Sequence, residues 1–199
     1  MVLLNDDLFI NEGTNRACYK DPTEISKCLK IDIRKNKETK SEIKYYRRLE
    51  KNDISFEMLS KYYGKKDTNY GEAESFELIK DFDGSISKEM DKYLDDTNNS
   101  LEDIETLLKY IPLLKEYIFK NKIYVKDLNT VNIMYQIKEN NKRRLVIIDG
   151  IAHSNYNPLF YICKFFILKK ITISWNKFIT SVKNKNIIQK NPHFLRYIH

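Results

Sequence analysis

The sequence predicts an α+β fold with two lobes that together form one domain: a β-rich N-terminal lobe over residues 1–80 and a small, mainly helical C-terminal lobe over residues 81–199. Three observations support this. Short apolar runs separated by turn residues fill the range 1–80, apolar residues recur at helical spacing over 101–118, and two strand-like runs flank a polar turn within 133–149. With 199 residues, 42% of them hydrophobic, the chain can bury a substantial core.

The N-terminal part begins with three predicted strands. LFI at 8–10 is a short apolar run, NEGTNRACY at 11–19 is a polar turn that leads into a second strand, and KCLKI at 27–31 is the third. A helix is predicted over 37–51, because apolar side chains recur there at every third position. We expect two further strands around 58–63 and 75–80, joined by a turn-rich loop over 65–74.

The C-terminal part should be mostly helical. Ser87 is a candidate N-cap for a short helix, and Ser100 with Asp103 resembles a capping box at the start of a long helical pattern. Pro112 should kink or divide that pattern, because proline removes a backbone donor. After the predicted hairpin, the run from Pro158 to Leu168 is apolar on nearly every side, which indicates a buried helix, and the basic tail should be helical too.

A cluster of polar residues surrounds the predicted hairpin. Asp127 and Asn132 lie close together in sequence just before its first strand, and Asp149 ends its second strand. A carboxylate can orient a hydroxyl group and accept its proton, while amide and carboxylate oxygens are typical ligands of Mg²⁺. An ordinary turn followed by a β-hairpin would explain the same residues without any chemistry.

In this segment the sequence resembles the protein-kinase superfamily, whose catalytic loop reads H-R-D-x-x-x-x-N before a hairpin and D-F-G. Asp127 and Asn132 have the separation that this motif requires. The resemblance implies a kinase-like fold that uses ATP and Mg²⁺. It assigns Asp127 to the acceptor hydroxyl, and Asn132 and Asp149 to the metal.

The same resemblance extends to the N-terminal strands. Lys30 corresponds to the lysine that contacts the nucleotide phosphates, and Glu42 could pair with it from the following helix, with Glu38 as a less favoured alternative. Gly13 lies where a glycine-rich loop is expected, and Arg16 could supply a charged donor there. Solvated surface charge is the plainer explanation for each of these charged residues.

Taken together, GTNRACY, KCLKI, DFDGSISKEMDKYL, VKDLNTVNIMY and LVIIDGIAH resemble the YrbL family of PhoP-regulatory-network proteins. The resemblance implies a bacterial protein of kinase-like fold and leaves its substrate open. Val125 replaces the histidine of H-R-D, no phenylalanine separates Asp149 from Gly150, and only the range 151–199 follows Gly150. We therefore expect a minimal phosphotransferase acting on a small molecule, or an inactive nucleotide-binding regulatory protein.

Charge is unevenly distributed along the chain. Residues 150–199 hold 8 Lys/Arg and no acidic residue, which accounts for the formal net charge of +7. Such a tail favours an anionic partner, which could be the phosphoryl acceptor, a nucleic acid or an anionic membrane, although a solvated helical face would look the same. Because no nucleic-acid-binding motif is present, nucleic acid is an unlikely partner.

The remaining features indicate a soluble, cytoplasmic protein. Cys18, Cys28 and Cys163 are too few and too scattered for a disulfide framework, so we expect no disulfide partner and interpret them as small buried hydrophobic residues. The most apolar later stretch, 158–173, is interrupted by lysines, and we expect no transmembrane segment. The N-terminus lacks the basic region of a signal peptide.

Overall fold

A computed structural model describes residues 1–34, 37–151 and 164–198. Within these ranges the chain forms eight β-strands and six α-helices. Strands come first, one helix and two more strands follow, and the remainder is mainly helical with a small second sheet. The mixed α+β prediction is confirmed, while the lobe boundary between residues 80 and 81 stays a prediction.

The first sheet contains five antiparallel strands in the order β1-β2-β3-β5-β4, and the second contains three in the order β6-β7-β8. The strands are β1 Phe9–Glu12, β2 Arg16–Lys20, β3 Lys27–Asp32, β4 Tyr62–Thr68, β5 Gly71–Glu77, β6 Lys88–Glu89, β7 Ile133–Ile137 and β8 Arg143–Ile147. The helices are α1 Lys37–Lys51, α2 Met90–Asp95, α3 Leu101–Leu108, α4 Ile111–Lys120, α5 Lys164–Lys183 and α6 Asn186–Lys190.

Two of the three predictions about where helices begin are confirmed, and one is wrong. Ser100 caps α3 in a complete capping box with Asp103, and Pro112 lies in the first turn of α4, where its missing donor costs nothing. The Ser87 prediction is wrong, since α2 begins at Met90. The Ser87 hydroxyl instead donates a hydrogen bond of 2.6 Å to Asp81 Oδ1, which fixes the loop before β6.

The expected loop over 65–74 is also wrong, because most of it is strand. β4 and β5 form a tight hairpin in which only Asn69 and Tyr70 lie between the strands. The charged residues in the first half of this range belong to β4, an edge strand, where one face is solvated. Lys65 forms an ion pair with Glu72 of β5, so the charges support the pairing.

One hydrophobic cluster connects most of the molecule. It includes Tyr46 of α1, Leu107 of α3, Ile147 of β8 and Trp175 of α5, each at most 2% exposed. A smaller cluster, which contains Leu29 and Ala73, lies against the first sheet. Residues that meet at the end of β8 are therefore held by both sheets and by helices from each half of the chain.

The helix predicted from Pro158 lies outside the described residues up to Cys163. In the described part, Phe165 and Phe166 are exposed, so the prediction of a buried helix is wrong for these two side chains. No helix in the described ranges is long and apolar enough to cross a membrane.

Part of the basic tail is neutralised internally. The Lys185 ammonium lies 2.7 Å from Asp91 Oδ1 and 2.8 Å from Asp95 Oδ2, which joins the start of α6 to α2. Near the C-terminus, Arg196 lies 3.2 Å from Glu105 of α3. These two cations hold the tail against the preceding helices, which is a structural role.

Candidate functional site

A cleft of about 1020 Å³ is lined by residues from the first sheet, α1 and the start and end of the β7–β8 hairpin. All seven residues singled out from the sequence line this cleft: Gly13, Arg16, Lys30, Glu42, Asp127, Asn132 and Asp149. The fold therefore brings together side chains from widely separated parts of the chain. Their roles depend on the contacts they make.

The loop before β7 folds back on itself. The Asn132 amide nitrogen donates to the Asp127 carbonyl oxygen at 2.9 Å and to Asp127 Oδ2 at 3.1 Å. The Asn129 side chain accepts from the Asn132 backbone N–H at 3.0 Å and caps the short 3₁₀ turn Thr130–Asn132. Because Asn132 Nδ2 is used in this way, Oδ1 is the amide atom that can bind a cation.

The hairpin brings Asp149 to the same place. Ile133 at the start of β7 is opposite Ile147 at the end of β8, and the Ile148 N–H donates to the Asn132 carbonyl at 2.9 Å. Asn132 and Asp149 consequently flank the same end of one hairpin, although the whole hairpin separates them in sequence. Antiparallel register alone accounts for this proximity.

Gly150 joins Asp149 to the Asp127 loop. Its N–H donates to Asp149 Oδ1 at 2.7 Å, and its carbonyl accepts from the Asp127 N–H at 3.2 Å. Its φ is +78°, and a Cβ at this position would lie 2.6 Å from the Asp127 carbonyl oxygen. Only glycine allows this backbone conformation and this close approach together.

We expect Gly150→Ala to destabilise the protein and to displace the Asp127 loop. Gly84→Ala is a matched control, since Gly84 has a similar φ of +86° but nothing within 4 Å of an added Cβ. Both variants should bear the backbone strain of about 1–3 kcal/mol, and Gly150→Ala should bear the steric clash in addition. Urea unfolding of the two proteins measures the difference, and equal losses of stability would contradict the close approach.

Arg16, the first residue of β2, bridges two carboxylates. Its Nη1 lies 2.5 Å from Glu42 Oε2 and its Nη2 lies 2.6 Å from Asp149 Oδ1. Burial opposes the charge of the guanidinium, but Glu42 and Asp149 outweigh it and raise the pKa of Arg16 above its ordinary value. The planar, two-armed guanidinium suits this bridge better than an ammonium would.

Asp149 is held as an anion. Burial favours its neutral form, but the positive charges of Lys30 and Arg16 and the Gly150 N–H bring the pKa of Asp149 down to about 2. Glu42 is the reverse case: it is 4% exposed, burial raises its pKa, and its Oε1 accepts no hydrogen bond. The charged form of Asp149 is therefore stabilised by several groups, whereas the charged form of Glu42 depends mainly on its ion pair with Arg16.

The predicted pairing of Lys30 with Glu42 is wrong as a direct contact. The Lys30 ammonium donates to the Ile148 carbonyl at 2.7 Å and lies 3.6 Å from Asp149 Oδ2, whereas Glu42 bonds to Arg16. The alternative, Glu38, lies 2.7 Å from Lys126. The Arg16 guanidinium, which extends from β2, contacts the carboxylates of both Glu42 and Asp149. Lys30 makes no hydrogen bond to Glu42, but its positive charge lowers the pKa of Glu42 against the effect of burial.

Sequence reasoning missed the residues that support the Asp127 loop. The Ser174 hydroxyl of α5 donates to the Val125 carbonyl, and the Tyr45 hydroxyl of α1 accepts from the Tyr124 N–H at 2.9 Å. Thr130 donates to Asp91 of α2. A serine inside a helix carries no local signal of such a contact, because its partner is distant in the sequence.

The cleft contains oxygen donors of the kind that bind magnesium, although one of them, Asp149 Oδ1, already accepts hydrogen bonds from Arg16 and from the Gly150 N–H. Mg²⁺ is usually held by one or two carboxylates, with substrate phosphates and waters completing an octahedron. Asp149, ionised at neutral pH, and Asn132 Oδ1 supply donors of this kind. The described ranges contain no cluster of three or more His, Cys, Asp or Glu side chains that could hold a metal alone, so a dedicated all-protein cage is not formed there.

The fold and cleft define an α+β protein whose charged cleft is formed by strands of one sheet, a helix and the end of a hairpin. Residues 2–183 match the model of the family described as PhoP regulatory network protein YrbL, and the chain belongs to this family. It is similar to the "Uncharacterized protein YrbL" of Escherichia coli (strain K12), with 27% identity over 195 residues, covering 96% of this chain and 92% of the relative. The protein of the same name from Shigella flexneri matches with the same identity and coverage.

Proposed function

We propose that this protein is a phosphotransferase of kinase-like fold that uses ATP and Mg²⁺ and acts on a small molecule. The observation that supports this best is the arrangement at the end of the β7–β8 hairpin. Asp127 is hydrogen-bonded to Asn132, and both adjoin Asp149 in a cleft that also contains Lys30 and Arg16. Phosphoryl transfer requires mainly the positioning of groups and the neutralisation of charge, which such a set can provide.

Each residue has a role that follows from its chemistry. The Asp127 carboxylate would orient the acceptor hydroxyl and accept its proton. Asn132 and Asp149 would hold the magnesium ion, which supplies positive charge to the phosphates when bound. Lys30 would contact the phosphates, since its ammonium already lies at the same edge of the cleft as Asp149.

The acceptor is expected to be small. A volume of about 1020 Å³ is at the upper end of the range typical for small-molecule pockets, which suits a nucleotide together with a compact second substrate. Lys88, Lys92 and Lys126 also line the cleft, but their charges are already offset by ion pairs with Asp96, Glu89 and Glu38 respectively. These three side chains come from β6, α2 and the Asp127 loop, whereas Lys30 comes from β3.

We expect Asp127→Asn to retain ATP binding and to lower phosphoryl transfer about 10²–10⁴-fold, because the amide keeps the shape of the side chain but cannot accept the proton. Thermal shift with ATP, with and without Mg²⁺, measures binding. ADP release with a panel of small hydroxyl compounds measures transfer. Asp7→Asn, an exposed acid outside the cleft, serves as the control.

The alternative is a nucleotide-binding regulatory protein without catalysis. The observation that favours it is Arg16, which occupies Asp149, the carboxylate assigned to the metal. Binding of ATP by the wild type without transfer to any compound would support this alternative. Absence of any ATP- or Mg²⁺-dependent thermal shift would contradict both proposals.

A further inference from the structure

Two cysteine side chains lie together in the wall of the cleft. Cys18 of β2 is opposite Lys30 of β3, and Lys20 is opposite Cys28, so the cysteines are offset by two positions in the antiparallel register. Residues offset by two project from the same face of a sheet. Both cysteines line the cleft, and both are free thiols.

The environments of the two thiols differ. Cys18 is partly exposed; the adjacent Cys28 thiol is the main influence that lowers the pKa of Cys18, and Lys30 and Arg16 add to it against the effect of burial. Cys28 is 5% exposed, and the neighbouring Cys18 and burial raise its pKa. An accessible thiol beside positive charge and a buried thiol next to it are the features of an attacking and a resolving cysteine.

We propose that Cys18 and Cys28 form a reversible redox pair that a peroxide converts into a disulfide across β2 and β3. The Cys18 thiolate attacks one oxygen of hydrogen peroxide and breaks the O–O bond, which gives a sulfenic acid and releases the other oxygen as hydroxide. The hydroxide takes up the proton that the Cys18 thiol had lost and becomes water. The Cys28 sulfur then displaces the sulfenic oxygen as a second water. In total, two thiols and one hydrogen peroxide give one disulfide and two waters.

The register indicates that this disulfide is strained. Cα atoms at diagonal positions of an antiparallel pair are usually about 7–8 Å apart, whereas a disulfide joins Cα atoms about 4.4–6.8 Å apart. Formation of the bond must bring the two Cα atoms roughly 1 Å closer, mainly by a shift of one strand along the other, and strained disulfides are the more easily reduced ones. Arg16 and Lys30 lie on the same face, two positions from Cys18 and Cys28 respectively, so oxidation shifts both.

The test uses the full chain with Cys163→Ser, which removes the third thiol. The protein is treated with hydrogen peroxide, alkylated, and mapped by mass spectrometry of peptides without reduction. We expect a Cys18–Cys28 disulfide that dithiothreitol reverses and that forms about tenfold faster in the folded protein than in urea, where proximity is lost. Equal rates in the two states, or cysteines that stay reduced in the folded protein, would overturn the proposal.

Two variants separate the attacking from the resolving thiol. In Cys28→Ser, the Cys18 sulfenic acid should persist and be trapped by dimedone, whereas in Cys18→Ser the Cys28 thiol should remain reduced. Oxidation of Cys28 in the Cys18→Ser protein would contradict the assignment. Circular dichroism checks that each variant is folded. The peroxide experiment on the Cys163→Ser protein retains both Cys18 and Cys28, so it remains valid even if one of these variants fails to fold.

Discussion

Asp149→Asn should lower metal-dependent nucleotide turnover about 100-fold or more, because it removes the carboxylate proposed to hold the metal. The amide can still accept the hydrogen bond from the Gly150 N–H, so the backbone turn should be preserved. It loses the charge that Lys30 and Arg16 stabilise and that a magnesium ion would require. Because Arg16 and Lys30 also lose an ion-pair partner, turnover is compared at a temperature at which both proteins are folded.

The measurement combines turnover with a titration of Mg²⁺ against the ATP-dependent thermal shift. In the wild type, Mg²⁺ should strengthen ATP binding, and in Asp149→Asn this dependence should be lost. The melting temperature without ligand should also fall, because the substitution weakens the contacts of Asp149 with Arg16 and Lys30. Asp7→Asn should behave as the wild type. If Asp149→Asn keeps both its turnover and its Mg²⁺ dependence, Asp149 does not bind the metal.

Arg16→Met should lower the free energy of unfolding by about 3 kcal/mol, because it leaves Glu42 without its ion-pair partner. The side chains of Arg16 and Glu42 are 12% and 5% exposed, so solvent replaces little of the lost interaction. Glu42 Oε1 already lacks a hydrogen bond, and the substitution removes the partner of Oε2 as well. The cost arises from an uncompensated buried charge and not from lost packing, which methionine largely retains.

A double-mutant cycle tests this reason directly. Arg16→Met combined with Glu42→Gln should be less destabilised than the sum of the single variants, with a coupling of about 1–3 kcal/mol, because the double variant buries no unpaired charge. Urea unfolding supplies the free energies. Lys20→Met, an exposed lysine at the other end of the same strand, should change stability by less than about 0.5 kcal/mol. If the losses of unfolding free energy in the two single variants simply add up in the double variant, the Arg16–Glu42 ion pair is contradicted.

Local patterns predicted the elements well where the signal was local. The Ser100 capping box depends on two side chains within one helical turn, and the β7–β8 hairpin depends on two strand-like runs around one turn. The wrong predictions concern residues whose secondary structure depends on partners that are distant in the sequence. Lys65 is exposed and charged, as in a loop, yet it lies in a strand because β5 supplies its hydrogen bonds and its acidic partners.

In the candidate site, too, the local features were predicted from the sequence and the long-range contacts were not. The residue types and the spacing of Asp127, Asn132 and Asp149 were visible in the sequence, and an antiparallel hairpin necessarily brings the last two together. The partner of Glu42 was not visible. An arginine and a lysine on adjacent strands are both within reach of one helix, and only the packing of α1 against the sheet determines which of them forms the ion pair.

The sequence by itself determined which groups are available to the cleft: two carboxylates and an amide around a hairpin, two cations on neighbouring strands, and one acid on a helix. Only the tertiary structure decided that Arg16 bridges Glu42 and Asp149, that Lys30 turns to the Ile148 carbonyl, and that Cys18 and Cys28 share one face. The physical reason is that spacing along the chain sets the register of a local hairpin. Contacts between a sheet, a helix and a distant loop depend instead on burial, where each charge takes the partner that best offsets its loss of solvent.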